Sequence, residues 1–578
     1  MLRKLFSRAV SASQRWRTRS DGTLAVAPGL GMELVGSGTL YALVALLVPA
    51  FFLLYGLNAF PLRDNNEGLY AEIAREMLAT GQYIIPHLNG VPYIEKPPLL
   101  YWLIALSMSV FGPTPFAARL VSAVSMLALC GGLFVFCRRH GNARAGCCAS
   151  VAVASAFPVA LVAHVVLFDP LLTALLGGAL LCFLHGYLAR SRKAHLAYFF
   201  LLALAVLEKG GVALMLAWGS AGVFLLFMHD RSGWRYLFDR TGLALLLLVA
   251  AWWHVAAAWQ QDGFSRFYFV NEHLLRFLGQ RLPDDYHHGP IWFYLPRLLF
   301  MLLPWTPFLL LLVRPIGAPD PANRTIVRFC QAAVLFPLVF FSLSQAKADY
   351  YMLVSVPALA LWLAVEATGR LAGSDRGLAL CWGMSAAFAV VMLVAASRAG
   401  QHELGLVEVA MLSLAYAAFA TVGARLFRSL QSLHARELAL LGVAVLGAPV
   451  LALVLRAVDA RAGRDSSIYV ARIILEHPQP ERAVFIYRDF EDVFSTLPFY
   501  LGRTVPVIDS ASRDLQFGCR AAPAATCLSP GEFLRLREKQ PVAVAVKASR
   551  ANEFLALVGE RGWQAEWVAD KIVFFDSR

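Results

Sequence analysis

Apolar runs separated by short polar loops dominate the chain. They lie near 39–60, 115–137, 146–167, 170–188, 195–208, 212–229, 241–260, 291–313, 328–346, 350–367, 378–397, 405–424 and 437–456. Most approach the roughly 20 residues a helix needs to cross a hydrocarbon layer about 30 Å thick. The pattern therefore predicts an all-α polytopic membrane domain over 39–456 with about 13 spans. A further segment, "PPLLYWLIALSMSVFG" (97–112), has an apolar core of only about 13 residues, short for a span. It predicts a juxtamembrane helix along the outer interface. From about 457 to 578 the period changes. "RAVFIYRDF", "RTVPVID", "PVAVAVKAS" and "KIVFFD" predict short strands, and "PGEFLRLREK" a helix, so a small soluble α/β domain is expected there.

Composition agrees with a membrane location. The 578 residues are 58% hydrophobic and only 15% charged, far less charge than a soluble chain of this length carries. The net charge of +13 would suit nucleic acid, but its distribution excludes that partner. Arginines crowd alternate loops (138–144, 190–193, 231–240, 314–328, 370–376, 425–436) and the basic segment 1–38. This is the positive-inside bias of a membrane protein. It places the N-terminus in the cytoplasm, with the first span as a signal anchor. An odd span count then puts the C-terminal domain on the opposite face, outside the cytoplasm. Seven cysteines lie in or beside apolar runs as small hydrophobes. Cys519 and Cys527 sit in the polar tail and can form a disulfide if that tail is outside.

With this topology the ionisable groups outside the runs gather on one face. Arg63, Asp64 and Glu67 follow the first span, and Tyr93, Glu95 and Lys96 close the same loop. Asp169, Glu208–Lys209, the stretch from Glu272 to His288, and Lys347, Asp349, Tyr350 and Tyr351 occupy other outer turns. Charges at membrane depth are costly and usually paired or functional. In "EGLYAEIAREML", Leu69, Tyr70, Ile73, Ala74, Met77 and Leu78 form one helical stripe. This predicts an amphipathic helix on the membrane surface, started by Asp64, Asn65 or Asn66 and ended at Gly81. Asp64 is then either a rigidly held acid near a lipid headgroup or merely the helix cap. Pro97 and Pro98 stiffen the segment presenting Glu95 and Lys96. Lys96 suits a lipid phosphate; Glu95 can instead pair with an Arg or Lys. Arg276 and Arg281 suit phosphate, since guanidinium matches its geometry. Glu272 and His273 offer a carboxylate and an imidazole to a divalent ion, zinc included, though at no established zinc spacing. His287–His288 fit a solvated loop. The chain has no P-loop, HExxH or Ser-His-Asp arrangement.

The stretches "RDNNEGLYAEIAREM", "YIEKPPLLYWL", "FAARLVSAV", "LFDPLLT", "EKGGVALML" and "AKADYYMLVSVPALAL" resemble the GT-C membrane glycosyltransferases. Within that superfamily they resemble the branch of the protein O-mannosyltransferases and the bacterial 4-amino-4-deoxy-L-arabinose lipid A transferases. The resemblance covers roughly residues 40 to 370. It implies a sugar donor linked to undecaprenyl phosphate and a lipid A phosphate as acceptor. It implies catalytic roles for Asp64, Asp169 and Glu67, carrier-phosphate contacts from Lys96, Arg276 and Tyr351, and a divalent metal of the zinc type on Glu95 and His273. Arg63, Tyr93, Arg281, Lys209, Lys347 and Tyr350 complete the expected substrate-binding set, and a monomer is expected. "KADYY" and "EKGG" depart from the commoner forms of these turns. A prenyl-phosphate-dependent protein or glycan O-glycosyltransferase is the alternative enzyme. A transporter of lipid-linked sugar is the alternative of another class, but no inverted repeat is visible and the polar groups favour one face.

Overall fold

The computed structural model describes residues 30–283, 289–313, 321–371, 380–385, 387, 441–479, 482–521 and 526–577. Helix α1 (Leu30–Leu54) enters the bundle, and α2 (Asn66–Thr80) and a short hairpin, β1 (His87–Leu88) and β2 (Val91–Pro92), follow. Next come α3 (Leu99–Phe111), α4 (Pro115–Arg139), α5 (Ala143–Ser155), α6 (Phe157–Ala163), α7 (Phe168–Ala189), α8 (Arg192–Lys209), α9 (Gly211–Phe227) and α10 (Arg240–Gln260). A π-helical turn, Arg266–Leu275, leads to α11 (Tyr294–Met301), a 3-10 turn (Thr306–Leu312), α12 (Pro321–Leu343) and α13 (Val356–Arg370).

Among the described residues, five helices are long and apolar enough to cross a membrane, or seven if each of two bent pairs is one span. The chain is thus a multi-pass membrane protein, with fewer described spans than the 13 expected. The run 405–424 lies outside the described residues, as does most of 378–397. Two runs that look continuous in sequence are broken. The 146–167 run bends by 66° between α5 and α6, where Ala156 is extended and Pro158 sits in the first turn of α6 without an N–H to continue the α5 ladder. The 291–313 run bends by 108° between α11 and the 3-10 turn, at "LPWTP".

After α14 (Val443–Asp459) and α15 (Ile468–Glu476), the chain builds a six-stranded sheet of order β5-β4-β3-β6-β8-β7. Its strands are β3 (Ala483–Tyr487), β4 (Val507–Ile508), β5 (Cys527–Leu528), β6 (Val542–Lys547), β7 (Trp563–Val568) and β8 (Lys571–Asp576). β5, β4, β3 and β6 run parallel, and β8 and β7 complete the sheet antiparallel. Strand alternation divides its side chains between two cores. Phe485, Tyr487, Val544 and Phe574 pack with Phe533 of α17 (Pro530–Lys539) and Phe554 of α18 (Ala551–Val558). Val484, Ile486, Val507 and Val573 share a core with Leu69, Ile73 and Met77 of α2 and Tyr101 and Ile104 of α3.

That second core corrects the reading of α2. The helix has the expected stripe and ends at Gly81, whose φ is +71°. However, it lies between the bundle and the sheet rather than on a lipid surface. Gly68 permits the contact: a Cβ there would come within 2.5 Å of Ser495 Oγ and 2.8 Å of the Ser495 backbone. The asparagine at the helix start uses its backbone there. Asn65, at φ +74°, donates its N–H to Ser495 Oγ and to the Glu491 carbonyl, and it makes no side-chain cap.

Candidate active site

A cavity of about 970 Å³ opens where the bundle meets the sheet-bearing region. The β2–α3 segment, the α8–α9 turn, the π-helical turn and the loop before α13 supply its wall. On the other side lie Glu491, Asp492 and Asp514, the last on α16 (Arg513–Ala521). Leu214, Met215 and Trp218 of α9 and Phe340 and Phe341 of α12 line an apolar portion. One end of the cavity is thus charged and the other suits hydrocarbon.

The charged end has two groups of ion pairs. In the first, Arg281 reaches Glu272 at 2.7 Å and Glu95 at 2.9 Å, Arg276 reaches Glu272 at 3.3 Å, and Lys96 stands 3.9 Å from Glu272. Three cations, Lys96, Arg276 and Arg281, thus gather around Glu272 and Glu95 in the cavity wall. Burial, together with Arg276, lowers the Lys96 ammonium to about 8. Burial pushes Glu272 up, but Lys96, Arg281 and Arg276 together bring it below the usual carboxylate range. Glu95 stays raised, by burial first. In the second group Lys209 donates to both Asp169 oxygens, at 2.8 and 2.9 Å. Its Nζ lies 4.8 Å from the Tyr351 ring centroid and 5.9 Å from that of Tyr350. Tyr93 lines the cavity, its hydroxyl 3.4 Å from Glu95. Lys347 also borders it, but its ammonium donates to the Phe341 and Ser342 carbonyls and so closes the end of α12.

The "EKGG" turn has a steric reason. Gly210 has φ +70°, and a Cβ there would fall 2.4 Å from His273 Nε2 and 2.5 Å from Tyr268 Oη. Only glycine lets the α8–α9 turn approach the π-helical turn so closely. This contact also fixes His273: its Nδ1 lies 2.7 Å from the Tyr268 carbonyl, and Gly211 donates its N–H toward Nε2 at 3.2 Å.

Three expected site residues lie elsewhere. Asp64 does not reach the cavity; its neighbours Asn65 and Asn66 do. Its carboxylate is enclosed at the junction with the sheet. There it accepts from Lys571 Nζ at 2.8 Å, Thr496 N at 2.8 Å, Thr496 Oγ1 at 2.7 Å and Ser467 Oγ at 3.0 Å. Burial pushes Asp64 up, against the pull of Lys571 and Thr496. Glu67 forms a bidentate pair with the buried Arg119, at 2.8 and 2.9 Å, and accepts the Val166 N–H. Arg119 donates its remaining bonds to the Leu57, Phe60 and Pro61 carbonyls, so this unit closes the end of α1. Arg63, about half exposed, pairs with Asp465 at 3.4 Å. Residues 284–288, including His287–His288, lie outside the described set.

The metal expectation finds no fit in this geometry. Glu95 is held by Arg281, both His273 nitrogens have backbone partners, and no group of three His, Cys, Asp or Glu is arranged for an ion among the described residues. The sequence reading also missed Asn65, Asn66, Tyr70, Glu491, Asp492 and Asp514, all of which line the cavity.

Comparison with known proteins places this geometry. Residues 95–269 match the family described as "Dolichyl-phosphate-mannose-protein mannosyltransferase". The crystal structure of ArnT from Cupriavidus metallidurans bound to undecaprenyl phosphate aligns with a TM-score of 0.77 at 24% identity, over 94% of this chain and 98% of that one. The chain has the fold of that ArnT structure. The apo form of the same ArnT aligns with this chain at a TM-score of 0.78 and 23% identity, with the same coverage. Among curated relatives, the undecaprenyl phosphate-alpha-4-amino-4-deoxy-L-arabinose arabinosyl transferase of Pseudomonas aeruginosa (strain LESB58) is 34% identical over 336 residues, 57% of this chain and 60% of that protein. The enzyme of the same name from Yersinia enterocolitica is 31% identical over 342 residues, 58% and 60% of the two chains. The matched stretch thus spans about three-fifths of the length of these relatives.

Proposed function

We propose that this chain is a GT-C glycosyltransferase that transfers 4-amino-4-deoxy-L-arabinose from undecaprenyl phosphate to a phosphate of lipid A, at the periplasmic face of the bacterial inner membrane. The observation that carries this reading is the set of groups the first loop offers to the cavity: the amides Asn65 and Asn66, with Asp64 turned away to Lys571. A hydroxyl acceptor needs a base. A phosphate monoester, with a second pKa near about 6, is already an anion near pH 7. Around it, Asp169, Glu95 and Glu272 are each tied to a cation, and Asp514 is pushed well up by burial, which favours its protonated form over a base.

In the proposed reaction an acceptor phosphate oxygen attacks the anomeric carbon. The bond from that carbon to the carrier phosphate oxygen breaks, and the carrier leaves as undecaprenyl phosphate. Lys96 and Arg276 stabilise the charge that builds on it, as preorganised cations in a partly dry site. The apolar portion between α9 and α12 accepts the start of the prenyl chain. Lys209, held by Asp169 against Tyr351, lies ready to orient an acceptor oxygen.

Mass spectrometry of lipid A from cells with and without the protein tests the proposal. A phosphate-linked mass increment of one aminoarabinose that depends on the protein is the expected result. Unmodified lipid A beside altered glycoproteins would overturn it in favour of the O-glycosyltransferase reading, which the family match over 95–269 supports.

A further inference from the structure

Seven carboxylates line the cavity. Six have partners: Asp169 has Lys209, Glu95 and Glu272 have Arg281, and Asp349 has Arg297. Asp492 accepts from Asn65 Nδ2, and Glu491 accepts from Ser512 Oγ and from the Arg513 and Asp514 N–H groups. The seventh, Asp514, has no hydrogen bond or ion pair on its carboxylate among the described residues.

Its position is well fixed. Glu491 caps the start of α16 at 3.0 to 3.3 Å. One turn on, Gly518 packs so close to β2 that a Cβ would lie 2.6 Å from the Pro92 carbonyl oxygen. Phe517 meets Phe267, with ring centroids 4.7 Å apart, and the Cys519–Cys527 disulfide ties the helix to β5. A helix held on three sides thus presents one unpartnered acid to the cavity. Burial and the nearby Glu95 and Glu491 carboxylates push Asp514 well up, with Arg281 and Lys96 opposing. An added cation would relieve that cost.

The geometry points to Asp514 as the residue that recognises the protonated amino group of the donor sugar. This rests on the function proposed above, whose donor carries a phosphate at one end and an amine at the other. The cavity lining offers a partner for each: Lys96 and Arg276 for the phosphate, and Asp514 for the ammonium. A site built around such a charge-assisted bond discriminates strongly against an analogue that lacks the partner.

Steady-state transfer by the full-length protein tests this, with undecaprenyl phospho-aminoarabinose and its N-acetylated, uncharged counterpart as donors. Asp514→Asn is expected to raise KM for the amino donor by about ten- to a hundredfold and to reduce the preference over the N-acetylated donor. Inhibition by undecaprenyl phosphate alone should be unchanged, and Asp514→Glu should recover part of the loss. An unchanged KM would overturn the inference. So would a fall in kcat at constant KM, the mark of a base, or a parallel loss of undecaprenyl phosphate inhibition, the mark of a damaged cavity. If the unaltered protein transfers no aminoarabinose, the proposed function and this inference fall together; if it does and Asp514→Asn matches it, this inference alone falls.

Discussion

Asp64 is the residue whose role differs most between sequence and structure, and its pairing with Lys571 can be tested quantitatively. Both side chains are nearly sealed, 3% and 1% exposed, with 2.8 Å between charges. Replacing Lys571 with Met leaves the Asp64 carboxylate with Thr496 and Ser467 as donors. Replacing Asp64 with Asn leaves the ammonium with neutral acceptors alone, the Ser466 carbonyl at 2.7 Å among them. Removing one partner of a buried pair costs about 3–5 kcal/mol, because the other charge stays desolvated. Each single variant should therefore melt well below the parent. The double variant Asp64→Asn/Lys571→Met buries no charge and should lose less than the sum of the two, a coupling of about 2 kcal/mol or more. Thermal unfolding in detergent gives the cycle, and limited proteolysis between α14 and β3 reports whether the sheet has come loose. The reasoning fails if Asp64→Asn melts like the parent yet abolishes transfer, since that result would return the residue to the chemistry.

Three further outcomes follow from the site. Lys96, lowered to about 8, loses its proton as pH rises through that value, while a bound phosphate favours the charged form. Undecaprenyl phosphate should therefore bind well below pH 8 and weaken above it, by up to about tenfold per pH unit. Glu272, Glu95, Arg276 and Arg281 face the ammonium, and Lys96→Arg should abolish the slope because guanidinium stays charged; a slope unchanged in that variant in a binding titration would assign it elsewhere. Gly210→Ala forces a Cβ into His273 and Tyr268 at a positive φ. It should cost about 1–3 kcal/mol in unfolding measurements, and an unchanged melting point would contradict the close approach. Glu67→Gln strips Arg119 of its carboxylate and should cost about 3–5 kcal/mol. Its melting temperature and folded yield should fall, whereas KM for the donor in the surviving fraction should hold.

Local pattern made part of this arrangement legible. The stripe in "EGLYAEIAREML" predicted α2 and its end at Gly81, and the two prolines after Lys96 marked a stiff segment that does border the cavity. Burial of Asp64 and Glu67 was not legible, because a charged residue looks exposed until its partner is known. Those partners are Lys571, 507 residues away, and Arg119, 52 residues away inside an apolar helix. The bends at Pro158 and at "LPWTP" were hidden by hydropathy, which sums composition and ignores the missing N–H of proline. Asp514 had no local signature at all. It reaches the cavity because Gly518 lets α16 dock on β2, and a glycine in a short helix does not announce its neighbour.

The pairing of Asp64 with Lys571 also bears on biogenesis. The first outer loop is synthesised early, yet the cation that neutralises its acid arrives 507 residues later. At about 5–20 residues per second, Asp64 waits roughly half a minute to nearly two minutes for its partner. Until then one wall of the cavity is missing, so a stalled or truncated nascent chain can thread its helices without assembling a working pocket. The seam between loop and sheet is thus among the last contacts the growing chain can close, since it waits for β8.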